Sequence, residues 1–258
     1  MHRLVLNIKN VSNSNTNKII KSAFSLGINK YQFSFSDIIN YDNPLLKEKR
    51  HSYQLFVKLE GNYSDISNEL QPNITNMCQN YQYLDTLFIN HLQPTVIKNA
   101  HDLQKKGYLK KIGLSGSNIS KIQDYISNGN GYSINEVSIS EKLCVINDEL
   151  LHCLPFFQKN HIKVYNDDPY CNQLLTLKGS PKEDNLSKQL QQQVDELKEF
   201  VQYRLDTTIE KYSFLYSFSH EPDIIIDIQS LNELQDLSEW IPSESHIPFD
   251  LVQKRYNF

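Results

Sequence analysis

The sequence has no long apolar segment. None of its hydrophobic runs approaches the roughly 20 residues that a membrane-spanning helix needs. The opening stretch, MHRLVLNIKNVSNSN, has too short an apolar run for a secretory signal peptide. We therefore expect a cytoplasmic protein with no membrane partner.

Clustered cations and paired cysteines are also missing. Lys and Arg total 26 against 30 Asp and Glu, the formal net charge is -4, and the cations are scattered along the chain. This pattern argues against a nucleic-acid partner. The four cysteines, Cys78, Cys144, Cys153 and Cys171, form no Cys-x-x-Cys motif. Reduced, mostly buried thiols are therefore expected, and no zinc site.

What the chain does have is a regular alternation of short apolar strands and amphipathic helices. Strands are predicted at residues 3–8, 30–36, 53–59, 84–90, 108–116, 133–140, 161–167 and 222–228. Eight such units in 258 residues indicate one α/β domain over residues 1–258, with a tail from about residue 241 that packs on its surface. The alternation alone is compatible with a closed barrel or with a doubly wound sheet.

Side-chain alternation predicts which faces of two strands look inward. In the second strand Tyr31, Phe33 and Phe35 share the face expected to meet the helices, and residues 32, 34 and 36 share the polar face. In the fourth strand residues 86, 88 and 90 share a face, so Asn90 points inward and His91 points away unless a bulge turns it.

Three segments resemble the aldo-keto reductase superfamily. They are LDTLFIN (84–90), GYLKKIGLSGSNISKI (107–122) and LLHCLPFFQKNHIKVYND (150–167), and the resemblance extends over roughly residues 16–237. It implies a (β/α)8 TIM barrel, an active site at the carboxyl ends of the strands, and NADPH as hydride donor. The family's N-terminal hairpin and glycine-rich opening are missing here.

The family's four catalytic residues are largely replaced in this chain. The resemblance implies an Asp and a proton-donating Tyr after strand two, a Lys ending strand three, and a His ending strand four. Gln32 falls at the Asp position, Asp37 at the Tyr position and Asn90 at the His position, whereas Lys58 matches the family's lysine. Tyr41 could reach in from the loop, although an ordinary surface tyrosine is the commoner situation.

The cofactor positions are eroded as well. Ser115 matches the serine that holds the nicotinamide, and Tyr165 matches the aromatic residue that stacks on it. Glu136 replaces a glutamine of strand six. Residues 166–169 (NDDP) and 227–233 (DIQSLNE) offer carboxylates where the family binds phosphates. Asp37, Glu136, Asp167 and His91 lack diagnostic metal-ligand spacing, so no metal is expected.

These replacements predict a barrel with a dismantled redox site and no cofactor, which acts as a non-catalytic regulatory subunit. EVSISEKLCVINDEL (136–150) and the NDDP turn resemble one branch of the superfamily, the regulatory (modifier) subunit of glutamate-cysteine ligase. That resemblance implies a larger catalytic protein partner and a role in glutathione biosynthesis. The alternative is a divergent NAD(P)H-dependent oxidoreductase for a small carbonyl or sugar, using Lys58 with His91, Tyr41 or Asp37.

Overall fold

The computed structural model shows a closed barrel of eight parallel strands, each paired with its neighbours in chain order. It describes residues 3–9, 13–39, 41–60, 66–90, 92–128, 131–140, 149–170, 174–176, 188–220 and 222–241. The strands are β1 (Leu4–Ile8), β2 (Lys30–Ser34), β3 (Gln54–Leu59), β4 (Leu84–Ile89), β5 (Leu109–Gly116), β6 (Glu136–Ile139), β7 (Lys163–Asn166) and β8 (Asp223–Ile228). The expected α/β barrel is confirmed.

Helices surround the barrel. They are α1 (Asn13–Ser25), α2 (Phe35–Ile39), α3 (Pro44–Glu48), α4 (Ile66–Tyr81), α5 (Pro94–Lys105), α6 (Ile119–Ser127), α7 (Glu149–Lys159), α8 (Lys188–Arg204), α9 (Ile209–Ser219) and α10 (Leu231–Trp240). Among the described residues, no helix is both long and apolar enough to cross a bilayer. Cys78 is buried and Cys153 half-buried, both as free thiols. The tail after residue 241, Cys144 and Cys171 lie outside the described residues.

Two expectations about local structure were wrong. β2 ends at Ser34 rather than at residue 36, because the Ser34 hydroxyl accepts a hydrogen bond from the Asp37 backbone N–H (3.1 Å) and the chain turns into α2. Helix α9 was not anticipated. Its residues from Tyr212 to Ser217 are all buried, so it lacks the one-sided apolar pattern by which a surface helix is found.

The main hydrophobic core lies between the strands and the helices. Leu4, Leu6 and Ile8 of β1 show the alternation that produces it, and the other strands contribute in the same way. Tyr31 and Phe33 belong to this core, which confirms the predicted outward face of β2. A separate, smaller cluster fills the inside of the barrel.

The inside of the barrel is layered. Adjacent strands in such a barrel are staggered by about one residue, so the strand pairings sort inward-facing residues by height. We call the apolar centre the middle layer: Val5, Phe56, Phe88, Tyr165 and Ile225. The basal layer, at the strand starts, contains Arg3, Lys30, Thr86, Lys111, Glu136, Lys163 and Asp223. The rim layer, at the carboxyl ends, contains Asn7, Ser34, Lys58, Asn90, Ser115, Ser138, Asp167 and Asp227.

Candidate functional site

The rim layer is polar and stands directly on the aromatic middle layer. Phe56, Phe88 and Tyr165 pack edge to face, with ring centroids 5.6 to 6.0 Å apart, and close the barrel beneath the rim. The rim is therefore the open end of a filled barrel rather than the entrance to a channel. This is the end at which barrel enzymes place their active sites.

Lys58 forms an ion pair across the rim with Asp167. Its ammonium donates to Asp167 Oδ2, and the Ser138 hydroxyl donates to the same oxygen at 2.9 Å. The Asp167 side chain is 4% exposed and that of Lys58 is 19% exposed. Because charges this deeply buried need a partner, each of these two residues compensates the other.

A second polar group lies where β1 meets β8. Asn7 Nδ2 donates to Asp227 Oδ1 at 2.6 Å, and the Lys9 ammonium lies 3.3 Å from Asp227 Oδ2. Burial lowers the pKa of Lys9, but the attraction of Asp227 and of Glu60 outweighs it and raises the pKa overall. The Lys9 ammonium is thus already paired with the Asp227 carboxylate.

Several buried polar atoms near the rim have no hydrogen-bond partner among the described residues. They are both amide atoms of Gln32, Oδ1 of Asn90 and Oγ of Ser115. Gln32 is completely buried and pairs in register with Phe56, which places its amide below Lys58 and beside the apolar middle layer. An amide there can neither hold the Lys58 ammonium by charge nor satisfy its own hydrogen-bonding groups.

Tyr41 does not lie at the rim. It is 7% exposed, which corrects the expectation of a surface tyrosine, and its ring centroid lies 5.4 Å from that of Phe33 on the outer side of β2. Its hydroxyl donates to Asn17 Oδ1 (2.9 Å) and accepts from Asn43 Nδ2 (2.6 Å). Burial raises the pKa of Tyr41 to about 12. Asp37 is half-buried in the first turn of α2.

Tyr165 faces inward but is held in the middle layer. It is 1% exposed, and its pKa is raised by burial and by the nearby Glu136 carboxylate of the basal layer. The Lys163 ammonium lies 5.0 Å from the centre of its ring. The structure therefore does not bring Tyr165 alongside Lys58 and Ser115 at the rim.

The inward face of β4 is as predicted. Phe88 lies in the middle layer, and the Thr86 hydroxyl donates to Glu136 Oε2 at 2.8 Å. Asn90 follows two residues later on the same face, and its Oδ1 is buried. His91 lies outside the described residues, so its outward orientation stays a prediction.

The region expected to bind phosphate is acidic. Two hydrogen bonds cap the start of helix α10: Ser230 Oγ accepts from the Glu233 N–H (3.2 Å), and Glu233 Oε2 accepts from the Gln229 N–H (2.8 Å). Tyr170, in the turn after β7, has its pKa raised by burial and then by the nearby carboxylates of Glu210 and Glu233. The α10 N-terminus thus already carries its own anion.

The carboxylates of Glu136 and Asp167 do not converge on one site. Glu136 pairs with Lys111 (2.7 Å) in the basal layer, while Asp167 lies in the rim layer, and the middle layer separates them. Among the described residues, no group of three or more potential metal ligands is found.

Sequence reasoning missed the role of Asp167 as the partner of Lys58. A signal for it was available, because Tyr165 was matched to a residue of the cofactor site and the two-residue period of a strand puts Asp167 on the same face as Tyr165. What the period could not give is the distance across the barrel, which depends on closure of the sheet.

Comparisons with known proteins agree with this architecture. Residues 5–246 match the aldo/keto reductase family. The holo form of an aldo-keto reductase from Bacillus halodurans superposes with a TM-score of 0.73 at 14% identity, over 96% of this chain and 88% of that one. A glycerol dehydrogenase from Gluconobacter oxydans gives 0.67 at 12% identity, over 99% and 90%.

The aldose reductase from Schistosoma japonicum gives a TM-score of 0.68 at 14% identity, over 99% of this chain and 88% of that one. At these identities the structural likeness shows the fold alone. No curated protein sequence matches the chain. The family match, however, spans nearly the whole sequence, and the chain therefore belongs to the aldo/keto reductase family.

Proposed function

We propose that this barrel is a non-catalytic regulatory subunit that has lost hydride transfer from NADPH. The observation that carries the proposal is the state of Lys58, whose partner among the described residues is the Asp167 carboxylate rather than a tyrosine hydroxyl. In the family the lysine lowers the pKa of the proton-donating tyrosine. Gln32 and Asp37 stand at the family's Asp and Tyr positions, and among the described residues no tyrosine hydroxyl is bonded to Lys58.

The residues present also do not fit a dinucleotide phosphate. Where the family binds the pyrophosphate and the adenosine phosphate, this chain places Asp167, Asp168 and a Glu233 that already caps its own helix. Like charges repel in such a site, so phosphate would have to displace the cap or lie beside these carboxylates. We infer that the protein works without a bound cofactor.

The specific candidate is the regulatory subunit of glutamate-cysteine ligase, in the cytoplasm. Support comes from the resemblance of EVSISEKLCVINDEL and of the NDDP turn. In the structure this turn is locally stabilised: Asn166 Oδ1 accepts from the Asp168 N–H (3.4 Å), and Asp168 Oδ1 accepts from the Tyr170 N–H (3.2 Å). The partner would then be the larger catalytic subunit, and the pathway glutathione biosynthesis.

A divergent NAD(P)H-dependent oxidoreductase is the second candidate. It is favoured by Lys58 and Ser115, which stand at the rim at positions matching the family's lysine and nicotinamide-binding serine. In that case Lys58 would work with His91 or Asp37 on a small carbonyl or sugar. Tyr41 would first have to leave its site beside Asn17 and Asn43.

Nucleotide binding separates the two candidates. We expect no saturable change in NADPH fluorescence when the purified protein is titrated with submillimolar nucleotide, because the phosphate positions are acidic. A nucleotide-binding aldo-keto reductase run in parallel serves as the positive control. Saturable binding in the micromolar range would contradict the regulatory proposal and favour the oxidoreductase.

Capture of the partner tests the identification. The tagged protein, purified from its source cell, should bring down a larger subunit in stoichiometric amount, and the complex should show glutamate-cysteine ligase activity. A chain that comes down alone, or with a stoichiometric partner of different activity, would contradict the specific candidate.

A further inference from the structure

The basal layer and its surroundings form a cationic end of the barrel. Three carboxylates at the strand starts form ion pairs with six cations. Asp223 contacts Arg3 (3.9 Å), Lys30 (2.7 Å) and Lys163 (2.7 Å). Asp85 contacts Arg50 (2.7 Å) and Lys110 (3.2 Å), and Glu136 contacts Lys111 (2.7 Å). Even with every one of these ion pairs formed, cations exceed carboxylates two to one.

Part of this excess faces water. The side chains of Lys110, Lys111 and Lys163 are 51%, 47% and 41% exposed, respectively. Lys30 and Lys163 share the same oxygen of Asp223, each at 2.7 Å, so one carboxylate serves two ammonium groups there. An exposed cation beside a shared carboxylate retains capacity for a further anionic partner.

The helices add to the same end. Lys105 and Lys106 close α5, and Lys159 closes α7, so all three exposed side chains lie at the turns that lead into β5 and β7. Because helices run antiparallel to the strands in this fold, those turns are at the amino end of the barrel. We call these residues, together with the basal cations and Lys110, the amino-end face.

The amino-end face contrasts with the rest of the molecule. The chain carries a net charge of -4, and at its opposite end Asp167 and Asp227 each pair with one lysine, Lys58 and Lys9 respectively. The ion pairs at the strand starts thus have two cations for each carboxylate, whereas these two pairs at the opposite end have one. A local excess of charge of one sign steers association and selects a partner of the opposite sign.

We propose that the amino-end face is the docking surface for an acidic surface of a partner protein. The inference rests on the proposed function for the existence of that partner, and it adds where and by what chemistry the partner binds. Nucleic acid is the poorer occupant. Tyr83, the ring that lies among the cations around Asp85, is already covered by Arg50 (3.8 Å) and Lys110 (3.7 Å), so it offers no free platform for a base.

The surface is tested with an oligoglutamate peptide as probe, by fluorescence anisotropy at low ionic strength. The charge-reversal variant is Lys105→Glu with Lys106→Glu and Lys159→Glu, whose side chains form no ion pair among the described residues. The matched control is Lys18→Glu with Lys98→Glu and Lys121→Glu, exposed lysines in the first halves of α1, α5 and α6 and thus nearer the opposite end. Both variants change the net charge equally.

We expect wild type and control to bind the peptide alike, the reversal variant to bind at least about tenfold more weakly, and binding to weaken as salt rises. Lys105→Gln with Lys106→Gln and Lys159→Gln should fall between them, which guards against a folding defect in the reversal variant. Equal binding by all variants would overturn the proposal. A mixed-sequence RNA that binds more tightly than the peptide would also overturn it, as would self-association abolished by the reversal variant alone.

Capture of the partner separates this inference from the proposed function. If wild type and control bring down the partner and the reversal variant does not, the docking surface is supported. If all three bring it down, the regulatory role stands and the docking surface is wrong. If none does, the regulatory role fails, and the peptide titration alone decides whether the amino-end face binds acidic chains.

Discussion

The Gln32 side chain is buried at a position where its amide forms no hydrogen bond with the described residues. It is fully buried, and neither amide atom has a hydrogen-bond partner among the described residues. Leaving buried polar atoms unsatisfied costs about 1–3 kcal/mol. We therefore predict that Gln32→Met, which keeps the volume and removes the amide, raises the free energy of unfolding by about that amount, as measured by denaturant titration.

The control for this substitution is Gln54→Met on β3, where the side chain is exposed. It should change stability by less than about 0.5 kcal/mol. A clear loss of stability in Gln32→Met would mean that the amide is satisfied by something bound in the barrel, and the oxidoreductase would regain support.

The Lys58–Asp167 pair gives a prediction that distinguishes structure from catalysis. Lys58→Met leaves the Asp167 carboxylate, 4% exposed, without its cation. Breaking a buried pair costs about 3–5 kcal/mol, and the lower end applies because Lys58 is partly exposed. Lys58→Met combined with Asp167→Asn should recover most of the loss, as followed by thermal unfolding.

The double variant, Lys58→Met with Asp167→Asn, also distinguishes a regulatory subunit from an oxidoreductase. A regulatory subunit should bind its partner as wild type does when both charges are removed, whereas an oxidoreductase that depends on Lys58 should lose turnover. Reductase activity present in wild type and absent in the folded double variant would contradict the regulatory proposal.

Strand β5 contains a glycine that the packing of the barrel requires. A Cβ on Gly113 would meet the Phe88 ring, with Cε1 at 2.6 Å, and Phe88 is completely buried. We predict that Gly113→Ala destabilises the protein by about 1–3 kcal/mol through overpacking, as measured by chemical denaturation.

Gly116 in the same strand is the matched control, since a Cβ there meets nothing closer than 4.0 Å. Gly116→Ala should be nearly neutral, and Gly113→Ala with Phe88→Leu should be more stable than Gly113→Ala alone. If the two glycine substitutions cost the same, the loss would come from strand conformation rather than from the Phe88 contact.

The protein as a whole buries many phenols, which makes its stability sensitive to alkali. Burial raises the pKa of several tyrosines: Tyr31, Tyr41, Tyr53, Tyr81, Tyr165 and Tyr212. Folding thus favours the neutral phenol. The neutral phenols contribute their full share to the free energy of unfolding below pH 10, which is the ordinary pKa of tyrosine. For Tyr41 this contribution is lost as the pH rises from 10 to about 12.

We therefore predict that unfolding becomes progressively easier above pH 10, with tyrosinate absorbance appearing together with the loss of structure. The pKa of Lys30 is lowered by burial, so loss of its proton at high pH stabilises the folded protein. This single group is outnumbered by the tyrosines, whose ionisation destabilises the folded protein. Tyr41→Phe should make the loss of stability in this window less steep. Tyrosinate that forms fully before any unfolding would show that the phenols are accessible.

Several features followed from the sequence because they depend on local periodicity. The eight strands and the inward faces of β2 and β4 follow from the two-residue period of a strand. Helix α9 was not predicted because it is buried on all sides and so lacks a 3.6-residue apolar period. The end of β2 was predicted two residues too late because the Ser34 side chain accepts a hydrogen bond from the Asp37 N–H and turns the chain into α2.

Closure of the sheet decided the rest. Asp167 contacts Lys58 although 109 residues separate them in the chain. Tyr165 lies in the middle layer, although the sequence matched it to a residue of the cofactor site at the rim. The excess of cations in the ion pairs at the amino end arises in the same way, since a strand start carries at most two charges and parallel closure brings the strand starts together. A sequence fixes the face on which a side chain stands, but contacts across a barrel depend on the stagger and radius of the closed sheet.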